Sequence, residues 1–258
     1  MSGTPANPPN RQHRVQPVTN KKHPANSGIG LEWASQLIAK GTYHVLVCAR
    51  STEKGEAAIK DLQSKNHPGT CELVQLDQTD DASIAAAAAH VEATHGRLDV
   101  LINNAAIDSK DATRADMTSN FTTNTLGPWF VTQAFKPLLL KSAASPARVV
   151  NVSTGMGSVA IKLDHSHWVT PMEALPYRVS KTALSMVTAQ CVYDFRDEDV
   201  KFFTVCPGFT VSNLGEENSA ENGARPTEEA VKGLMGVVEG ERDADAGKFL
   251  HEGGLYDW

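Results

Sequence analysis

Short apolar runs rich in β-favouring residues alternate along the chain with stretches of helical periodicity. The strand candidates are residues 15–19, 43–49, 71–76, 100–103, 148–152, 200–205 and 248–250. Between them, helical patterns span residues 30–40, 53–64, 81–94, 118–140, 177–195 and 227–239. Val45-Leu-Val47 and Val149-Val-Asn-Val152 are apolar on both faces, as expected of central strands of a parallel sheet covered by helices on each side. Strict alternation of strand and helix predicts right-handed crossovers and a Rossmann-type doubly wound α/β sheet. No internal repeat or linker divides the chain, so residues 14–258 are expected to form a single domain after a polar, disordered arm at 1–13. The polar stretch 213–226 follows a strand late in the chain, where a substrate loop over a cleft belongs.

Composition narrows the function. The protein has 258 residues, 41% of them apolar, and a formal net charge of −6. A basic surplus, the electrostatic footprint of nucleic-acid binding, is missing, and nothing favours association with anionic membranes. No run reaches the length of a transmembrane helix, and the first twenty or so residues lack an apolar signal core; a cytoplasmic location is the expectation. The four cysteines Cys48, Cys71, Cys191 and Cys206 are far apart in sequence and read as reduced thiols. His165 and His167 form a His-x-His pair without a third ligand at metal spacing, so no metal site is expected.

Candidate chemistry gathers at the carboxyl ends of the strands, where open parallel sheets bind ligands. After the first strand, Gly28-Ile29-Gly30 opens a helix and offers free N–H groups to a pyrophosphate, although such a tripeptide also fits a plain turn. The second strand ends in Arg50-Ser51 rather than in an acid. An Arg there accommodates a 2′-phosphate, so NADP (NADPH) is favoured over NAD. Tyr177 and Lys181 are four residues apart on a helix and share a face. An ammonium near the phenol is expected to lower the phenol pKa and poise Tyr177 as a proton donor. The preceding strand ends in two hydroxyls, Ser153 and Thr154.

Taken together, Ser27-Gly-Ile-Gly30, Leu76-Asp77, Leu101-Ile-Asn-Asn-Ala105, Asn124, Val149-Val-Asn-Val-Ser-Thr154, Tyr177-Arg-Val-Ser-Lys181 and Cys206-Pro-Gly208 resemble the short-chain dehydrogenase/reductases of classical type, carbonyl-reductase-like, over about residues 14–252. The resemblance implies a catalytic set of Asn124, Thr154, Tyr177 and Lys181, with Asn124 anchoring a water in the proton relay and Lys181 also holding the nicotinamide ribose. It implies cofactor contacts from Ser27, Gly28, Ile29, Gly30, Arg50, Ser51, Asp77, Asn104, Ala105, Pro207, Gly208, Thr210 and Ser212, besides Tyr177 and Lys181. The expected partners are a small carbonyl or alcohol substrate and, as an option left open, further copies of the chain.

The sequence departs from the family pattern in two places. Ala106 replaces a glycine, and residues 20–24 lengthen the first turn and put Pro24 where a glycine belongs; Pro offers no N–H and cannot take the glycine conformation. Lys21 or Lys22 reaching the phosphates is one explanation of the enlarged loop, and a damaged loop is another. A cofactor-binding protein that has lost turnover is therefore the alternative function. A sugar-nucleotide epimerase or dehydratase shares the Tyr and Lys but needs a larger C-terminal substrate domain. The segment between Thr154 and Tyr177 is longer than in compact members of the family. Its large side chains, among them Trp168 and Met172, are expected to wall a substrate pocket.

Overall fold

The computed structural model describes the strand at residues 12–17 and residues 28–258. In chain order the elements are β1 (Gln12–Pro17), α1 (Ile29–Ala39), β2 (Tyr43–Ala49), α2 (Thr52–Ser64), β3 (Thr70–Gln75), α3 (Asp81–His95), β4 (Val100–Asn103), α4 (Arg114–Phe121), α5 (Gly127–Leu139), β5 (Ala147–Val152), α6 (Val159–Leu163), α7 (Leu175–Asp194), β6 (Val200–Cys206), α8 (Thr227–Lys232), α9 (Met235–Glu239), β7 (Phe249–His251) and β8 (Gly254–Tyr256). The strands form one sheet in the order β3-β2-β1-β4-β5-β6-β7-β8, parallel throughout except that β8 runs antiparallel to β7. The order reverses between β1 and β4, which creates the crevice that such sheets use for ligands.

Alternate residues of the central strands feed two cores. On one face Val45, Val47, Val100, Ile102, Val150 and Phe203 pack against α1, α2, α8 and α9. On the other, Leu46, Leu101, Val149 and Phe202 meet α3, α5 and α7. Burial on both faces explains why these strands read as unbroken apolar runs. Helix ends follow local chemistry. Asp80 caps α3 by accepting from the Ala82 N–H at 2.9 Å, and Gly96 closes the helix with φ of 71°. Thr113 caps α4 through the Asp116 N–H at 3.1 Å.

Several boundaries differ from the sequence reading. β1 begins at Gln12, so residues 12 and 13 belong to the sheet rather than to the arm. The helix expected over 118–140 is two helices joined by a π-helical turn at Thr122–Leu126. Pro128 has no N–H to donate to the Asn124 carbonyl four residues back, so an α-helical ladder cannot run through. Instead the Gly127 N–H reaches the Thr122 carbonyl. The helix expected over 227–239 breaks between Lys232 and Met235. The antiparallel β8 was not anticipated; it follows a tight turn in which Gly254 takes a φ of 156°, a value that L side chains rarely adopt.

Candidate active site

β5 delivers the first functional groups. Beyond Val152 the Ser153 N–H donates to the Val205 carbonyl at 2.7 Å, which extends the pairing with β6 by one residue. Thr154 then caps a 3₁₀ turn at Gly155–Gly157, its Oγ1 accepting from the Met156 N–H at 3.2 Å. Ser153 is buried and its Oγ has no hydrogen-bond partner among the described residues. Both hydroxyls line the same cleft.

α7 brings the second pair. Pro176 sits in its first turn, where a missing N–H costs nothing. Tyr177 and Lys181 follow one turn apart, both buried. Lys181 Nζ donates to the Val152 carbonyl at 2.7 Å and lies 5.8 Å from the centre of the Tyr177 ring. Gly157 permits this approach: a Cβ there would stand 3.0 Å from that of Lys181. The pKa directions correct the sequence expectation. Burial, with the Asp108 charge and Cys206 adding to it, pushes the Tyr177 phenol up rather than down. Burial also pulls Lys181 down to about 7. Desolvation disfavours the charged form of each group, and an ammonium weakened by burial does little to favour phenolate.

The π-helical turn supplies the third element. Asn124 is fully buried; its Oδ1 accepts from the Ile107 N–H at 2.9 Å and its Nδ2 donates to the Ile107 carbonyl at 2.8 Å and to Ser180 Oγ at 3.0 Å. Asn124 stands behind the cleft wall, clamping the loop that follows β4. That loop carries Asn104, Ala105 and Asp108 along the cleft. The Ala105 carbonyl accepts from buried Gln78 Nε2 at 3.3 Å.

The cleft itself encloses about 1250 Å³ across the strand ends, from Gly28-Ile29-Gly30 at the start of α1 to Tyr177, Lys181 and the segment 206–220. Gly28 has a φ of 127° and open space where a Cβ would be, and no side chain among the described residues caps α1, so the helix N-terminus turns its first N–H groups to the cleft. A dinucleotide fits this set: a bare helix N-terminus at one end, and an unpartnered buried hydroxyl at Ser153 beside the Tyr–Lys pair at the other. Ser27 and residues 20–24 lie outside the described residues.

Further cofactor candidates fall in two groups. Arg50 and Asp77 are not part of the cleft wall but stand beside each other, Arg50 Nε 3.9 Å from Asp77 Oδ2, with the Arg50 side chain 43% exposed. Ser51 is the N-cap of α2, accepting from the Lys54 N–H at 3.4 Å. At the other end, Gly208 takes a φ of 75°, and the Pro207 carbonyl is held by Thr210 Oγ1 at 2.9 Å and Arg225 Nη2 at 2.7 Å. Ser212 Oγ accepts from Asn218 Nδ2 at 3.0 Å.

The long segment after Thr154 does wall the cleft. His167, Trp168, Val169 and Met172 line it, and Trp168 meets Phe209 edge-on at 6.0 Å. Arg178, which the sequence reading passed over, anchors this wall. Buried on α7, its guanidinium donates to the carbonyls of Met156 at 3.1 Å, Met172 at 3.3 Å and Val169. The segment 213–226 also contributes, with Asn213–Ala220 facing the cleft and Glu217 accepting from Lys110 Nζ at 2.9 Å. Asp108 is the other residue missed. Its Oδ1 is buried without a partner among the described residues, and burial, with Glu217 nearby, raises its pKa to about 6. Its one sequence signal is its position just beyond the Asn104-Ala105 turn.

Known proteins place these features in context. The family model for the short chain dehydrogenase matches residues 24–223. The short-chain dehydrogenase anuI of Penicillium roqueforti is 38% identical over 228 residues, covering 83% of this chain and 90% of its own. The short-chain dehydrogenase/reductase tropE of Talaromyces stipitatus is 33% identical over 250 residues, 89% and 93% of the two chains. Among solved structures, NADPH-bound carbonyl reductase from chicken fatty liver superposes with a TM-score of 0.80 at 33% identity, covering 96% of this chain and all of that one.

Proposed function

The chain belongs to the short-chain dehydrogenase/reductase family, enzymes that use a nicotinamide cofactor to interconvert C–OH and C=O, and within that family we propose that it is an NADPH-dependent reductase of carbonyl groups on small, largely apolar molecules. The observation that carries this reading is the burial of Tyr177 and Lys181 together in a large cleft that the hydroxyls of Ser153 and Thr154 also line.

The residues of this chain divide the work. Thr154 Oγ1 and the Tyr177 hydroxyl bind the substrate carbonyl oxygen, and the raised phenol pKa keeps Tyr177 protonated across physiological pH. Bound nicotinamide supplies the hydride. Tyr177 gives its proton to the forming alkoxide. Lys181, with a pKa near neutrality and Nζ fixed by the Val152 carbonyl, is poised to return a proton to the phenol. The Asn124 carbonyl, to which Pro128 cannot donate, would hold the water that links Lys181 to solvent. Gly28, Ile29 and Gly30 hold the pyrophosphate, Asp77, Asn104 and Ala105 the adenosine side, and Pro207, Gly208, Thr210 and Ser212 the carboxamide end. Ser27 joins the pyrophosphate set on the family pattern.

Preference for NADPH rests on Arg50, which closes β2 where an NAD enzyme carries an acid, and on the likeness to a carbonyl reductase with NADPH bound. The rim supports a bulky apolar substrate: Trp168 and Phe209 pack edge-on into one aromatic surface there, and Asp108 offers an unpartnered oxygen to a hydroxyl on the substrate. The test is calorimetric titration with NADPH and NADH, followed by NADPH oxidation against a panel of aliphatic and aromatic ketones. Tight NADPH binding with turnover of the larger ketones is the expected outcome. Binding without turnover of any carbonyl would support the retired-enzyme alternative, and a preference for NADH would overturn the Arg50 assignment.

A further inference from the structure

A second cluster of chemistry-bearing groups lies at the amino ends of the strands, at the opposite edge of the sheet from the cleft. His44 is the second residue of β2, Glu72 the third of the edge strand β3, and His95 the last of α3. In the β2–β3 register His44 pairs with Thr70 and Leu46 with Glu72, so His44 and Glu72 are diagonal neighbours on one face of the sheet. That face packs against α3, which brings His95 onto the pair. One ligand atom from each of the three residues falls within 4.8 Å of the others. We propose that His44, Glu72 and His95 form a zinc-class transition-metal site that ties the edge strand to β2 and α3.

The contacts already have the form of a metal site. Glu72 Oε1 lies 2.7 Å from His95 Nε2, and Glu72 Oε2 lies 3.6 Å from His44 Nε2, so the two imidazoles approach different carboxylate oxygens. The imidazole rings are 5.1 Å apart and tilted by 44°, converging rather than stacking flat. His44 Nδ1 is 2.7 Å from Thr70 Oγ1. With the proton on Nδ1 and donated to that hydroxyl, Nε2 keeps its lone pair on the metal side, the arrangement in which an outer hydrogen bond fixes the tautomer of a ligating histidine. Two imidazoles and a carboxylate are a donor set that suits zinc. Ligand atoms around tetrahedral zinc sit about 3.3 Å apart, from bond lengths of about 2.0–2.1 Å, so metal entry opens the 2.7 Å His95–Glu72 contact and draws the wider separations, within 4.8 Å, together. His90, five residues before His95 and half-exposed, places Nε2 4.0 Å from Glu72 Oε1 and can supply the fourth ligand; water is the other source. Metal entry displaces the proton shared by His95 Nε2 and Glu72 Oε1, which passes to solvent.

The alternative use of the cluster is a plain ion-pair network in which protonated imidazoles surround Glu72. An ion pair or hydrogen bond accounts for the His95–Glu72 contact at 2.7 Å, but it does not require a second imidazole to converge on the same carboxylate, which His44 does. The location gives the site a structural role. Among the described residues β3 ends the sheet with one side unpaired, the kind of edge that proteins protect from pairing with other chains, and a metal bridging it to β2 and α3 would hold it in place.

The experiment uses the full chain, free of any histidine tag and stripped with chelator. Zinc is titrated in competition with a chromophoric chelator, and Co²⁺ is titrated in parallel to read its visible d–d bands. The proposal expects one equivalent of tightly bound zinc, four-coordinate Co²⁺ absorption, and a rise in melting temperature with zinc. His44→Ala and Glu72→Gln should each weaken zinc binding by at least ten-fold while leaving ketone reduction unchanged. If His44→Ala fails to fold, His95→Gln on the helix end makes the same test. Absence of stoichiometric binding by the wild-type protein would overturn the site, as would zinc affinity that survives His95→Gln.

Discussion

Asn124 holds Ile107 by two hydrogen bonds at once, accepting from its N–H at 2.9 Å and donating to its carbonyl at 2.8 Å. One amide side chain thus takes the place of a β-strand partner for a loop that has none. The loop so held carries Asp108, and the same Asn124 amide donates to Ser180, in the turn of α7 between Tyr177 and Lys181. The wall of the cleft and Tyr177, the proposed proton donor, therefore share a fixed point. In the proposed mechanism Asn124 positions the site through its side chain and joins the relay through its backbone.

Tyr177→Phe removes the proposed proton donor and very little volume. Folding and NADPH binding should survive, and turnover should fall by about 10²–10⁴-fold, the usual worth of general acid catalysis. Lys181 adds a pH signature. Its ammonium is present below about 7 and lost above, whereas the raised phenol stays protonated throughout that range. The kcat/KM for ketone reduction should therefore be highest on the acid side and decline as pH rises through about 7. Lys181→Met should flatten that limb while lowering the plateau. A profile that keeps its alkaline decline in Lys181→Met would remove Lys181 from the relay.

Asp108 makes a stability prediction. Its folded pKa is raised from 3.8 to about 6, so the folded state binds the extra proton between those values and carries a penalty once pH exceeds about 6. Asp108→Asn should stabilise the protein at pH about 8, by roughly 1 kcal/mol after discounting for solvent screening, and should have little effect at pH about 3. The measurement is the melting temperature of the two proteins at both pH values. Equal shifts at both would show that burial of this carboxylate carries no cost.

Arg50→Asp replaces the proposed 2′-phosphate partner with the acid of an NAD enzyme. Loss of a charge-assisted pair is worth about 1.5–3 kcal/mol, so NADPH affinity should fall by roughly 10- to 100-fold while NADH gains. Asp77, 3.9 Å away, makes the new carboxylate a close neighbour of an existing one, which adds to the loss. An unchanged ratio of the two cofactors would detach Arg50 from the site.

The two hydroxyls after β5 can be separated. Thr154→Ser should retain most activity, and Thr154→Val should lose most of it with NADPH binding intact. Ser153→Ala should be the milder change because its Oγ makes no hydrogen bond among the described residues. Steady-state kinetics of the three variants decide the assignment, and a deeper loss in Ser153→Ala than in Thr154→Val would transfer the role to Ser153.

Arg178→Lys tests the substrate wall. A lysine keeps the charge but cannot fan out to the carbonyls of Met156, Val169 and Met172. The KM for large ketones should rise several-fold with little change in NADPH affinity. A kcat effect at unchanged KM would show that the wall does not bind substrate.

The fold was legible because its central strands are buried on both faces and alternate with stretches of helical pattern. The cleft was legible where chemistry is local: Tyr177 and Lys181 are one helical turn apart, and Pro207-Gly208 directly follows β6. Groups assembled from distant parts of the chain were not. Asp108 and Arg178 become informative only when the segments around Glu217 and Met172 pack beside them. Likewise His44, Glu72 and His95 show no ligand spacing, because a strand register and a helix end bring them together. The pKa of Tyr177 was misjudged for a related reason: the Tyr–Lys spacing is visible in sequence, but the burial that outweighs their attraction is not. The broken helix at 122–126 had a readable cause in Pro128, yet helical residues on either side of it read as one continuous helix.

One further relationship concerns how this sheet finds its alignment. Asn103, Asn151 and Thr204 lie directly opposite one another on β4, β5 and β6, in strands that are mostly apolar on both faces. Asn103 Nδ2 donates to Asn151 Oδ1 at 2.8 Å, Asn151 Nδ2 to Thr188 Oγ1 at 2.9 Å, and Thr204 Oγ1 to the same Thr188 oxygen at 3.0 Å. Sliding one smooth hydrophobic strand past its neighbour costs little in apolar contact, so oil alone would tolerate misalignment. A slip of one residue here would send each amide to the opposite face and strand it in hydrocarbon without a partner. These polar groups act as the pins of a lock that opens at a single setting, and that setting brings the ends of β4, β5 and β6 level, where Asn104, Ser153 and Pro207 meet around one cleft.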